Sequence, residues 1–256
     1  MTTLPCTVSG DADKPALLLL HGFLSSNLQW APNRERLLEC FRLIEVELWG
    51  HGEAPAPEEP ASYTIGRYAD EFERMRADLG VESWLVCGQS FGAGIVIRYA
   101  LDRPDSVSGL VITNSRSALN TAAPGDGDGR GRIEDWDAID LRELPFHPCH
   151  AKRFPTEFRE RMEKAADGIP RHAIAHGSAV TGPDLSCRKR AHTLRVPTLL
   201  VNGRFEKAFQ ADRDWAAATI PGIEIVDLDA GHSVNVEAPE GFVDAVVTFA
   251  APMPAR

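Results

Sequence analysis

Cysteine is sparse in this chain and follows no pairing pattern: Cys6, Cys40, Cys87, Cys149 and Cys187 are an odd five without CxxC spacing. An odd set does not close a disulfide framework, and the missing spacing excludes a zinc ribbon or finger, so reduced thiols are expected. Long apolar runs are also lacking. The run ALLLL at 16–20 is far shorter than the roughly 20 residues that span a bilayer, and residues 1–10 have no basic-then-apolar leader layout. The chain is therefore read as cytoplasmic, with no membrane partner. Positive charge is in deficit, 27 Lys and Arg against 37 Asp and Glu, for a net charge of −10. Nucleic-acid affinity comes largely from cations that displace counterions, so no nucleic-acid partner is expected. There is no internal repeat and no long linker.

What is present is an ordinary globular composition, 43% hydrophobic over 256 residues, long enough for a sizeable core. Short runs rich in Leu, Val and Ile at 16–20, 42–48, 83–87, 107–113, 198–202 and 223–228 alternate with amphipathic segments. That rhythm predicts an α/β fold, a mostly parallel central sheet with helices on both faces. Between the second and third runs, Ile65, Tyr68, Phe72, Met75 and Leu79 recur at helical spacing and Gly80 stops the helix. The rhythm breaks after Asn114. A Gly- and Asp-rich stretch, scattered prolines and a helix carrying Phe154, Phe158 and Met162 at spacing four occupy 116–195. This segment is expected to be a helical cap inserted into a core made of 1–115 and 196–256.

Gly88-Gln89-Ser90-Phe91-Gly92 is a GxSxG that follows a predicted strand and opens a predicted helix. The pattern alone is weak, but that setting is what a nucleophile elbow requires: strained angles at the serine and no bulk two positions to either side. The competing role is a plain helix N-cap. A serine nucleophile needs a base, and His232, in Asp229-Ala230-Gly231-His232-Ser233 after the last predicted strand, is the candidate. Glu206, three residues past the strand that ends at Gly203, is the candidate acid, with Asp229 and Asp212 as weaker substitutes; the position after the strand ending at Thr113 holds Asn114. The backbone N–H groups of Phe23 and Phe91 are the candidate oxyanion hole, and His21 is read as structural.

With LLHGF at 19–23, WGHGE at 49–53, GQSFG at 88–92 and DAGH at 229–232, the chain resembles the α/β-hydrolases over 16–115 and 196–250. The resemblance implies attack by Ser90 on a carbonyl, His232 as base and then acid, Glu206 as its orienter, and neither metal nor organic cofactor. A glutamate at 206, preceded by Phe205, departs from the commoner aspartate. His172 and His176 have spacing four but no adjacent glutamate, and Arg130 spoils a calcium-like DGDGRG at 126–131, so no metal site is assigned. The function expected is hydrolysis of a carboxylic ester or lactone of a small, partly apolar substrate. The alternatives are carbon–carbon bond hydrolysis or lysis on the same fold, and a ligand receptor without turnover. Phe154, Phe158 and Met162 are candidates for an apolar ceiling, and His147, His150, Arg153 and Arg159 for meeting a carboxylate.

Overall fold

Residues 2–119, 136 and 138–253 are described by a computed structural model. Seven strands, β1 Cys6–Ser9, β2 Ala16–Leu20, β3 Arg42–Val46, β4 Trp84–Gly88, β5 Val107–Thr113, β6 Thr198–Gly203 and β7 Glu224–Leu228, form one sheet in the order β1-β3-β2-β4-β5-β6-β7. All neighbours run parallel except β1 with β3. The apolar runs foresee six of the seven strands. The edge strand β1 was not foreseen, because CTVS carries no apolar run and its residues are only partly covered. The predicted strand 42–48 stops at Val46, where the chain turns away from β2.

The unbroken leucines of β2 follow from burial on both faces. Leu17 and Leu19 enter one core with Leu43, Leu85 and Leu199, while Leu18 and Leu20 enter the other with Ile44, Val86 and Leu200. A strand covered on both sides has no polar alternate to show. Helices α1 Ala31–Cys40, α2 Ile65–Asp78 and α3 Phe91–Asp102 follow the first strands in turn. Leu37 of α1 packs on the Leu17 side, whereas Phe72 of α2 and Val96 of α3 pack on the Leu18 side.

Because β3 lies on one side of β2 and β4 on the other, right-handed crossovers from β2 and from β4 leave toward opposite edges of the sheet. The loops that leave the C-terminal ends of β2 and β4 therefore part and open a crevice. Phe23 and Ser90 sit in those two loops.

Between β5 and β6 the described elements are all helical. They are α4 Arg116–Leu119, α5 Thr156–Asp167, α6 Arg171–His176 and α7 Gly182–Asp184, with 3₁₀ turns and a π turn at Gly177–Thr181. After β6 come α8 Gln210–Thr219, then α9 Val234–Glu237 and α10 Pro239–Ala250 beyond β7. The calcium-like stretch 126–131 falls outside the described residues. No described helix is long and apolar enough to cross a membrane.

Candidate active site

Ser90 has φ +52° and ψ −110°, a conformation that non-glycine residues rarely adopt and that costs about 1–3 kcal/mol. The close packing around it explains the flanking glycines. A Cβ on Gly88 would lie 2.7 Å from Ala93 Cα, and one on Gly92 would lie 2.4 Å from the His21 carbonyl oxygen. The Ser90 side chain makes no capping hydrogen bond to α3, so the N-cap role does not describe it. Its Oγ instead lies 2.9 Å from His232 Nε2. The Ser90 carbonyl accepts from Ser115 Oγ at 2.6 Å, which ties the elbow to the end of β5.

On its other side, His232 Nδ1 is 3.0 Å from Glu206 Oε2. The hydroxyl, imidazole and carboxylate, 142 and 26 residues apart in sequence, thus form one chain of contacts at the C-terminal rim of the sheet. If Nδ1–H donates to Glu206, Nε2 is left as the acceptor that a serine hydroxyl needs. The same Glu206 oxygen accepts from Asn114 Nδ2 at 2.8 Å. Asn114 is buried and also clasps the backbone of Gly203, donating to its carbonyl at 3.0 Å and accepting from its N–H at 2.9 Å. Burial pushes the Glu206 carboxyl up, but the hydrogen bonds from His232 and Asn114 and the positive charge of Arg116 outweigh it. The group is held below the usual carboxylate range and so ionised.

The substitute acids lie elsewhere. Asp229 is paired with Arg204 at the surface, and Asp212 with Arg188 Nη1 at 3.2 Å. The side chains of Phe23 and Phe91 stack with centroids 4.9 Å apart and planes at 25°, which brings the two loops together beside Ser90. Phe91 opens α3, where the N–H groups have no intrahelical acceptor. His21 is fully buried and ties its own loop to the one after β3: Nδ1 is 2.7 Å from the Gly22 carbonyl, and Nε2 is 3.1 Å from the Leu48 N–H and 2.7 Å from Glu47. A buried amide network ties the loop after β2 to α9, beyond His232. In it Gln29 Oε1 accepts from Ser25, Gln29 Nε2 donates to Asn235 Oδ1, and Asn33 Nδ2 donates to the Asn235 carbonyl. None of these amides carries a motif, and Asn114 stood out only as a position without an acid.

A cavity of about 480 Å³ opens on Ser90, His232 and Glu206. Phe154 and Met162 line it and pack against Val236, whereas Phe158 meets Phe154 edge-on and does not line it. Of the four residues named for meeting a carboxylate, His147, His150 and Arg153 line the cavity and Arg159 does not; Arg159 Nε lies 3.4 Å from Glu163. His172 and His176 each direct Nε2 at a backbone carbonyl, of Ala56 and Glu58 respectively.

The profile of the alpha/beta hydrolase fold family matches residues 15–138. The carboxylesterase YbfK of Bacillus subtilis is 26% identical over 256 residues, covering 94% of this chain and 82% of its own. The 2-succinyl-6-hydroxy-2,4-cyclohexadiene-1-carboxylate synthase of Salmonella arizonae is 28% identical over 257 residues, covering 93% and 94%. A crystal structure of a hydrolase from Pseudomonas aeruginosa PA01 superposes with TM-score 0.79 at 26% identity, covering 96% of this chain and 93% of that one. Architecture, family profile and relatives coincide, and the chain belongs to the α/β-hydrolase fold superfamily of hydrolases.

Proposed function

We propose that this hydrolase cleaves a carboxylic ester or lactone of a small, partly apolar substrate through an acyl-enzyme carried on Ser90. What supports this reading above all is the unbroken contact from Ser90 Oγ through the His232 ring to Glu206, 2.9 and 3.0 Å, at a serine whose backbone is strained outward from the elbow. His232 Nε2 takes the hydroxyl proton as Oγ attacks the carbonyl carbon. Glu206 stabilises the imidazolium and keeps its Nδ1–H directed away from the serine. The oxyanion is held by the N–H groups of Phe23 and Phe91, each of which is worth on the order of a hundredfold in rate. His232 then returns its proton to the departing alcohol oxygen, and water, activated by the same nitrogen, releases the acid and restores Ser90. No step needs a cofactor. Residues 116–195 serve as a cap whose Phe154 and Met162 shape the apolar wall of the cavity.

A second reading has one specific support, the synthase of Salmonella arizonae matched over nearly the full length. It would use the same Ser90–His232 pair to move a proton in a carbon–carbon bond cleavage or elimination. A receptor without turnover gains nothing from an assembled serine, imidazole and carboxylate. A panel of esters, lactones and vinylogous diketones against wild type and Ser90→Ala separates the three. Turnover of esters or lactones that Ser90→Ala abolishes is expected, together with covalent labelling of Ser90 by a serine-directed phosphonate only while His232 is intact. Turnover of the diketones alone would move the assignment to the second reading. Binding with no turnover would move it to the third.

A further inference from the structure

The cavity's ionic groups are mostly committed to one another, with one exception close to the reacting centre. Glu206 is engaged by His232 and Asn114. Glu237 accepts from the N–H of Gly231 at 2.6 Å and lies 3.7 Å from Arg153 Nε, whose guanidinium stands 5.2 Å from the centroid of the Phe205 ring. His147 Nε2 is 3.3 Å from Asp167, and His150 Nε2 is 2.8 Å from the Arg142 carbonyl. Arg116 differs. It lines the cavity, follows the Ser115 whose hydroxyl holds the Ser90 carbonyl, and has its Nε buried without a hydrogen bond. Among the described residues it forms neither a hydrogen bond nor an ion pair. Its charge is felt by Glu206 and Asp212, which meet other partners instead. Lys152, exposed on the same cavity, is likewise unpaired and adds a second positive charge toward solvent.

A guanidinium that is partly withdrawn from water without a partner is poorly solvated, and a planar carboxylate matches its fork of donors. The surplus positive charge is set in a chain of net charge −10, so it marks the cavity out from its surroundings and draws anions to it. We infer that Arg116 binds a carboxylate on the acyl part of the substrate, so that the preferred substrates are half-esters of dicarboxylic acids, or lactones that carry a free carboxylate, rather than neutral esters. The inference rests on the proposed ester chemistry. The carboxylate end meets Arg116 while the scissile carbonyl sits at Ser90, and Phe154 and Met162 cover the methylenes between or the leaving group.

The test compares mono-4-nitrophenyl glutarate with its neutral methyl ester, which has the same acyl length and the same leaving group, in wild type, R116Q and R116K. The readout is the ratio of the two kcat/KM values, from which any uniform fall cancels. Loss of a charge-assisted hydrogen bond should lower the anionic-to-neutral ratio roughly 10- to 100-fold in R116Q, mainly through KM, with part of it kept in R116K. An unchanged ratio with both rates reduced would show that Arg116 serves only the charge of Glu206, and would overturn the inference. Should R116Q not fold, as judged by its thermal transition, R116K carries the comparison. Calorimetry of monomethyl glutarate on Ser90→Ala, with and without R116Q, separates this from the ester reading. Binding that needs Arg116 in an enzyme inert to both esters would sustain the anion site and sink the ester chemistry, whereas equal binding by both proteins would sink the site.

Discussion

The rim of the sheet and the described residues between β5 and β6 are built in different ways. At the rim, Ser90, Glu206 and His232 stand in loops that directly follow β4, β6 and β7, three strands of one sheet, of which β4 and β6 are buried throughout and β7 is the partly exposed edge. The described residues between Arg116 and β6 form short helices with 3₁₀ turns and a π turn and no strand, although Leu119, Trp136, Ile174 and Leu185 among them join the core of the sheet. A rigid layer suits atoms that must meet within a few tenths of an ångström, and a set of short helices suits a surface that defines shape. The difference teaches that chemistry and selectivity should be separable by mutation.

The largest effect should come from the rim. Ser90→Ala is expected to lower kcat by about 10⁴-fold or more with the thermal transition nearly unchanged, as steady-state kinetics and calorimetry would show. Glu206→Gln should cost on the order of 10³- to 10⁴-fold in kcat, because the amide can hold the wrong tautomer of His232; near-normal turnover would mean that another group orients the ring. Asn114→Ala removes one donor to Glu206 and the clasp on Gly203, and a fall of roughly tenfold in kcat is expected.

Changes in the proposed cap should act differently. Met162→Ala, at a buried position against Val236, should destabilise by about 2–5 kcal/mol and shift KM and acyl-length preference several-fold, while phosphonate labelling of Ser90 persists. A parallel loss of labelling would join the two regions into one unit. The smallest effect is on acid stability. Glu206 is held below the usual carboxylate range, so its contribution is present above its unfolded value and is lost as pH falls through the folded one. Thermal transitions recorded from pH 7 downward should therefore drop less steeply, across that acidic window, in Glu206→Gln than in wild type.

Much of this was legible in the residues. The central strands read directly because burial on both faces leaves few polar alternates, and the edge strand β7 read from Ile225, Val226 and Leu228 although none of its residues is fully buried; β1, at the other edge, escaped because CTVS carries no apolar run. The order of Ser90, Glu206 and His232 was readable, since each follows a strand and every such loop in a parallel sheet emerges at one end. Asn114 was noticed only for what it is not; that its amide grips both Gly203 and Glu206 depends on β5 and β6 being neighbours. The free charge of Arg116 had no signal at all, because whether a guanidinium is paired is a property of its surroundings and not of its codon. The same holds for Phe158, whose spacing matched Phe154 and Met162 while its ring turned out of the cavity.

The amino-acid order by itself determined the layered architecture, the elbow and the chain order of Ser90, Glu206 and His232, because hydrophobic periodicity and glycine placement act over a few residues at a time. Only the tertiary structure decided which carboxylate faces His232, which side chains wall the cavity and which cation is left unpaired. Those outcomes depend on distances between segments far apart in the chain, and only the packing of the whole sheet and its covering helices sets them.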